Sequence, residues 1–429
     1  MLSDHFRAEP FWWQKSPLAE SSTSKTTRLP NNIDVMVVGS GYTGLHAALQ
    51  TTRAGLSTLV VDAEALGNGC SSRNGGQVST SLKGDYKELV RRYGPNQALA
   101  MFREGILAVD FLEQFIKEEE IDCDWRRSGH FSGAHNRAAY DTTARRLSNL
   151  PIELGLEWQM ISAEDQHLEI GSNRYHGGVL YPQHASLQPA LYHSGLLNSV
   201  RSAGTKTVGH CKVERIEPLS SGFNVHTSLG TVRASKVAIA TNGYTGPLNV
   251  WQRRRIIPIG SYMIATEPVT ESVAHEISPR GRTMTDTRRL VFYYRMYEGR
   301  MIFGGRVALS ETDPRVSAPR LHIAMSEIFP QLANTPIDFS WVGFVGFTFD
   351  NLPHIGEKDG IHYSMGYCGS GVSLSSYLGS IMGKQIAGDQ SQRSAFMDLK
   401  FPTRSFYFGN PWFLKPSILY YRLRDRFNF

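Results

Sequence analysis

IDVMVVGSGYTGLHAALQTTRAGLSTLVVDAE, residues 33–64, is the stretch that decides the fold class. Residues 35–38 form a short, fully apolar run, the pattern of a parallel strand buried on both faces. That run enters Gly39-Ser40-Gly41-Tyr42-Thr43-Gly44. A helical period follows in Leu45, Ala48, Leu49 and Thr52 and stops at Gly55. A second apolar run, 58–61, ends on Asp62. Glycines at this spacing have separate duties: the first makes the tight turn, the second admits a pyrophosphate, and the third lets helix and strand pack closely. Amides at the helix start then face phosphate, and Asp62 stands where it would accept hydrogen bonds from an adenosine ribose. A glycine turn serving packing alone is the alternative, but strand, turn, helix, strand and acid arrive in the order a dinucleotide site requires.

Outward from this unit, 429 residues are too many for one ordinary core and predict two intimately packed domains. Hydrophobic content of 41% and charged content of 20% are those of a folded soluble chain. No apolar run approaches the roughly 18 residues of a membrane span. The first twenty residues lack a basic start followed by an apolar core, so a secretory signal is not expected. Cys70, Cys123, Cys211 and Cys368 are far apart and show no metal spacing, which predicts reduced thiols in a cytoplasmic setting and no metal. A net charge of +6 suits an anionic cofactor. Arg253-Arg254-Arg255 is a tight basic run, but no nucleic-acid recognition motif accompanies it.

Residues 1–32 read as an arm, with Phe11-Trp12-Trp13 packing on the body and 21–27 polar and flexible. After Asp62 comes GNGCSSRNGGQVS, residues 67–79. So many small residues predict a backbone passing very close to something flat. Residues 86–120 are helical with a break at Pro95, and 124–133 read as a strand. Residues 236–240 are another buried strand, ending in Thr241-Asn242-Gly243. Residues 256–344 alternate with period two and predict a broad, mainly antiparallel sheet. Residues 361–365 form a strand, and Gly369-Ser370-Gly371-Val372 opens a helix through residue 386. The tail, 405–429, is aromatic and basic; a docked terminal helix is the favoured reading, with a membrane-surface helix second.

The loop at 67–79 resembles the glycine-rich loop of the FAD-dependent D-amino-acid oxidase and glycine oxidase-type enzymes. Cys70 and Ser72 replace small residues of the usual pattern. Further likeness lies in ATNGYT (240–245) and in the run Gly343 to Gly356 containing GFTFDNLPHIG. The FWW arm, YYR (293–295) and GGR (304–306) bring it nearest the gamma-glutamylputrescine oxidoreductase-like branch. The resemblance covers residues 34–390. It implies an α/β, two-domain fold: a Rossmann-like FAD-binding domain interleaved with a substrate domain on a large mixed or antiparallel sheet. The implied segments are an arm at 1–32, FAD-binding parts at 33–120, 176–250 and 345–395, substrate parts at 121–175 and 251–344, and a tail at 396–429.

Two glycine-rich helix starts favour FAD over NAD, which needs only the first. The implied FAD contacts are Gly39, Ser40, Gly41, Tyr42, Thr43, Gly44, Asp62, Ala63, Ser71, Ser72, Arg73, Asn74, Gly75, Gly76, Gln77, Val213, Thr241, Gly369, Ser370, Gly371 and Val372. Tyr262, Tyr293, Tyr294, Arg295 and Arg306 are the substrate candidates. Alternation leaves open which of Tyr293 and Tyr294 faces inward. The implied chemistry is oxidation of an amine C–N bond by hydride transfer to flavin N5, with hydrolysis of the imine to aldehyde plus ammonia. No acid–base residue is then required of the protein. Where relatives of the sarcosine oxidase kind carry a flavin-linked cysteine this chain has Gly343, so FAD is expected to be non-covalent. Where glycine oxidase-like members place an arginine for an α-carboxylate it has Val345, which disfavours an ordinary α-amino acid. Lysine is absent from residues 237–357, leaving oxygen or another group as electron acceptor. The branch implies a gamma-glutamyl-capped amine and a place in polyamine catabolism. The competing readings are a sarcosine- or pipecolate-like amino acid as substrate, an NAD-dependent dehydrogenase, and a flavin-bound subunit that only passes electrons or binds a partner.

Overall fold

The computed structural model describes residues 1–19, 28–306 and 313–427, so the polar stretch 21–27 lies outside the described residues. Two sheets carry the molecule. The eight-stranded sheet is built around Asn32–Val38, paired in parallel with Thr58–Val61 on one side and Gly230–Ile239 on the other. Residues 35–38 are buried throughout, as a strand covered on both faces must be. Lys206–Val208 extends this sheet in parallel, as does Ile361–Met365 beside Gly230–Ile239. Helices Tyr42–Arg53, Pro95–Glu118, Pro189–Ser202 and Gly371–Ile386 supply much of the core on one of its faces.

The nine-stranded sheet is mixed, and its centre is antiparallel: Ile257–Thr266 lies between Ile337–Phe347 and Arg300–Gly305, with Tyr293–Tyr297 next. Helix Pro314–Ile328 covers its outer face, where Tyr262, Ile264, Tyr294 and Phe303 pack with Ala318, Leu321 and Met325. The opposite face, carrying Met263, Ala265 and Trp341, looks toward the nucleotide-binding side.

Three local expectations need correction. The start of the chain is more than an arm laid on the body: Leu2–Arg7 is a parallel edge strand on Ile337–Phe347, and Phe11 and Trp12 pack on the body as expected and are buried. The strand expected over 124–133 is confined to His130–Gly133, because the preceding residues spend their backbone groups on residues 184–188. Gly178–Tyr181 belongs to the nine-stranded sheet, between His130–Gly133 and Gln159–Ile161, so the chain leaves that sheet later than residue 176.

The two glycine-rich helices cross closely. A Cβ on Gly379 would lie 2.6 Å from the Thr43 carbonyl oxygen, and one on Gly383 2.5 Å from that of Ala47. Small residues here bring both helix starts to one side of the sheet. The Thr43 hydroxyl joins them through Tyr367 (2.7 Å), whose hydroxyl also meets Ser364 (3.0 Å).

Helix Pro95–Glu118 carries a buried carboxyl at Glu104, which accepts hydrogen bonds from Ser394 Oγ (2.7 Å) and the Ala395 amide. Burial pushes its pKa up to about 7. A carboxyl raised in the folded state binds more protons than the unfolded chain between about pH 4.5 and 7. Its stabilising contribution is therefore complete below that window and lost as pH rises through it, up to roughly 3 kcal/mol. Glu104→Gln is expected to flatten this slope: its melting temperature should exceed that of the native protein at pH 8 and match it near pH 4.5. An unchanged difference at the two pH values would refute the assignment.

Candidate active site

The groove between the first helix start and the second is a cavity of ≈ 710 Å³. Its wall includes Gly39, Ser40, Gly41, Thr43, Asp62, Ala63, Val213, Thr241, Gly369, Gly371 and Val372, which the sequence had drawn from five separate segments. Gly39 has φ +105°, a turn that L side chains rarely tolerate. A Cβ on Gly44 would sit 2.0 Å from the Gly39 carbonyl oxygen, so the helix can start this close to the strand only without one.

Asp62 is not a free acid waiting for a ligand. Ser40 donates to its Oδ2 from both backbone N (2.8 Å) and Oγ (2.7 Å), and Glu64 N donates to Oδ1 (3.1 Å). Oδ2 is thereby filled, and Oδ1 keeps a further lone pair. Ser71 is likewise engaged: its Oγ accepts the Tyr42 amide at 3.0 Å. That leaves the Thr43 and Gly44 amides as first-turn donors without an intrahelical partner. The Tyr42 side chain turns into the core, its hydroxyl donating to the Pro189 carbonyl (2.9 Å).

The 67–79 loop is tied down along its length. Asn74 Nδ2 donates to the carbonyls of Cys70 (3.2 Å) and Ser71 (3.0 Å), and its Oδ1 accepts the Gly76 amide (2.8 Å). Arg73 donates to Asn68 and to the Val342 carbonyl, and Gln77 donates to the carbonyls of Met284 and Tyr294. From behind, three indoles hold three consecutive residues. Trp13 Nε1 donates to Ser72 Oγ (2.9 Å), Trp341 Nε1 to the Arg73 carbonyl (2.7 Å), and Trp12 Nε1 to the Asn74 carbonyl (2.9 Å). The Arg73 guanidinium also lies over the Trp13 ring at 4.6 Å. The FWW run of the arm thus braces the loop. Its partners stand about sixty residues away, and no spacing within the sequence pointed to them.

Register settles which sheet residues face the loop. Tyr293 does: its ring comes within 3.3 Å of where a Gly75 Cβ would be, and its hydroxyl meets Ser261 Oγ at 2.7 Å. Gly304, opposite it on the neighbouring strand, lets the ring lie across that strand. Tyr294 faces the other way, its hydroxyl 2.5 Å from that of Tyr175, and Tyr262 is buried in the same outer cluster. Arg295 shares the inner face with Tyr293 but is sunk beneath the loop. It donates to the Leu187 carbonyl (2.8 Å) and lies over the rings of Trp12 and Tyr297. Arg306 donates to the Gly260 carbonyl (2.6 Å), beside residues outside those described. Tyr262 and Tyr294 thus face away and Arg295 lies beneath the loop, while Tyr293 meets the loop.

Four residues at this end were missed. Ser261 pairs with Gly343 across the sheet, on the face shared with Met263. Cys70 Sγ lies 3.8 Å, and Tyr244 Oη 3.8 Å, from where a Gly343 Cβ would be. Burial pushes the Cys70 thiol up to about 11, so it stays neutral. Asn242, in the cavity wall with φ +42°, accepts the Gly366 amide on Oδ1 at 3.0 Å and joins two strand ends. The ATNGYT motif flagged this corner, but not which of its side chains turn inward.

Residues 34–385 match the family model for "FAD dependent oxidoreductase". The chain belongs to that family. It is 30% identical to the gamma-glutamylputrescine oxidoreductase of Escherichia coli K12, over 92% of this chain and 93% of that one. It is 29% identical to the probable oxidoreductase OrdL of Rhizobium meliloti, over 97% of each. Among solved structures, glycine oxidase from Geobacillus kaustophilus superposes with a TM-score of 0.73 at 17% identity, covering 88% of this chain and 99% of that one. L-Proline dehydrogenase from P. horikoshii gives 0.70 at 16%, covering 91% and 99%. The cofactor is FAD, and the site fits it: two helix starts open on one groove, a glycine lets the first helix start close to its strand, and the loop at the groove's end is tied down along its length.

Proposed function

We propose that this FAD-dependent oxidoreductase oxidises the C–N bond of an amine to an imine, which water hydrolyses to aldehyde plus ammonia. The proposed substrate is an amine whose carboxylate lies far from the reacting carbon, as in a gamma-glutamyl-capped diamine. One observation carries this reading: the sheet face beside the loop is neutral. Ile259, Ser261, Met263, Tyr293, Gly343 and Val345 share that face, and the arginines nearest it, Arg73 of the loop and Arg295 and Arg306 of the strands, each donate to backbone carbonyls. An α-carboxylate held next to the reacting carbon would need a cation there. The 30% identity to gamma-glutamylputrescine oxidoreductase over nearly the whole chain supports the same substrate class.

The residues that would hold FAD are Gly39 to Gly44 and Asp62 at the adenosine and pyrophosphate end, Val213 and Thr241 along the wall, residues 71–77 at the ring, and Gly369 to Val372 at the second helix start. Bound FAD supplies the two-electron acceptor. The protein's part is to make the amine reactive. An alkylamine with pKa near ~10 is mostly charged at neutral pH, and its nitrogen lone pair must be free before the C–N bond can be oxidised. A site of Tyr293, Tyr244, Met263 and the neutral Cys70 thiol disfavours the ammonium by desolvation. The Tyr293 hydroxyl, fixed by Ser261, is an oriented donor or acceptor for the amine nitrogen.

An anaerobic visible spectrum titrated with gamma-glutamylputrescine, putrescine, sarcosine, pipecolate and glycine tests this. Bleaching of the flavin band by the gamma-glutamyl amine alone is the expected result. Bleaching by sarcosine or pipecolate alone would replace the reading with an imino-acid oxidoreductase, and no bleaching by any amine would leave an electron-transfer subunit. Acid precipitation is expected to release all the flavin, since Gly343 carries no thiol.

A further inference from the structure

Among the described residues, phenylalanine or tryptophan is strongly exposed at Phe406 (52%), Phe408 (65%) and Trp412 (61%), all within seven residues of one another. Leu419, Tyr420 and Tyr421 on the terminal helix Leu414–Phe427 are also exposed, as is Val250 beside the 251–255 run. This is not a loose tail. Tyr407, between the two exposed phenylalanines, is buried and donates to the Ile256 carbonyl at 2.6 Å. Thr403 Oγ1 donates to the Arg254 carbonyl at 2.5 Å, Phe413 packs on Tyr407 and Phe349, and Ile418 is buried. The segment is pinned with its large rings outward.

The rings are interleaved with cations. Phe406 and Trp412 touch (6.1 Å between centroids), Arg254 lies over Phe408 at 4.7 Å, and Arg404 lies over Phe349 at 5.2 Å. Neither segment of this face, 248–256 or 399–421, contains an aspartate or glutamate, whereas together they hold Arg253, Arg254, Arg255, Lys400, Arg404 and Lys415. An aromatic surface studded with cations, its two segments without a carboxylate of their own, matches the headgroup layer of an anionic bilayer, where rings sit at the acyl boundary and cations meet phosphate. Among the described residues no helix is long and apolar enough to cross a membrane, so attachment would be peripheral. Residues 244–249 also line the FAD groove, so the face adjoins the groove's edge.

We infer that the face built by residues 248–256 and 399–421 docks on an anionic lipid surface. The test is co-sedimentation of the flavin-loaded full chain with phosphatidylcholine vesicles, with and without phosphatidylglycerol, at low and high salt. Binding is expected only to the phosphatidylglycerol vesicles, and salt should weaken it. The double variant Phe408→Ser/Trp412→Ser should bind them about tenfold less well or worse. It should keep its flavin content and melting temperature, since both side chains are exposed. Arg404→Glu/Lys415→Glu should lose binding at low salt while keeping the rings. Failure of the native chain to bind at low salt would overturn the inference, as would binding unchanged in both variants. So would sedimentation velocity showing a native dimer that Phe408→Ser/Trp412→Ser dissociates, because the face would then be covered by a second copy of the chain.

Discussion

Gly44→Ala is expected to give a protein that carries little or no flavin. The added methyl carbon would meet the Gly39 carbonyl oxygen at 2.0 Å and Val37 Cγ1 at 3.2 Å. The first of these is backbone, so no side-chain rotation relieves the contact, and the helix must move off the strand. Overpacking of this kind costs about 1–3 kcal/mol, or more where backbone is the obstacle. The helix start would move with it, carrying the Thr43 and Gly44 amides away from the groove. FAD affinity should fall more than tenfold, read as visible flavin absorbance per mole of purified protein, with far-UV circular dichroism to confirm folding. Stoichiometric flavin at native affinity would show that the contact is accommodated and that these amides do not hold the cofactor.

Trp12→Ala is the second large effect. The side chain is fully buried among Phe11, Tyr297 and Trp341, with Arg295 over its ring at 5.1 Å. Removing it is expected to cost about 3–5 kcal/mol of stability. Trp12→Phe separates packing from bracing, since it keeps much of the ring but leaves the Asn74 carbonyl without its indole donor, at about 1–3 kcal/mol. That variant should hold FAD less tightly and show a changed flavin spectrum, because the loop backbone proposed to lie at the flavin ring loses one of its three indole supports. A Phe variant with native flavin affinity and spectrum would reduce the arm to a packing element.

Tyr293 and Tyr294 show how much of the site could be read from the chain and where reading stopped. Both are tyrosines on one strand, and both were candidates for the substrate. Whether a residue faces the loop or helix Pro314–Ile328 depends on parity, and a one-residue slip exchanges the two faces. The register is fixed by partners such as Gly304 opposite Tyr293 and Phe303 opposite Tyr294, together with the edge that each strand shares with the rest of the sheet. The surroundings of the arginines were illegible for a related reason. A guanidinium in a sequence does not disclose whether a carbonyl such as that of Leu187 or Gly260 is already beside it.

By itself the chain determined the nucleotide-binding unit, because everything that defines it is contiguous. An apolar run, three glycines, a helical period, a second run and an acid make their contacts largely within 32 residues, and backbone sterics alone make the glycines necessary. The second helix start, the existence of the glycine-rich loop and the alternating sheet were legible on the same local grounds. Tertiary structure alone decided the rest. It made the arm an edge strand and a brace, moved Gly178–Tyr181 into the nine-stranded sheet, and chose Tyr293 over Tyr294. It also turned Phe406, Phe408 and Trp412 outward while burying Tyr407. Each of these depends on contacts between residues far apart in the chain, whose pairing follows from how two sheets and their helices close on one another, and no local pattern encodes that.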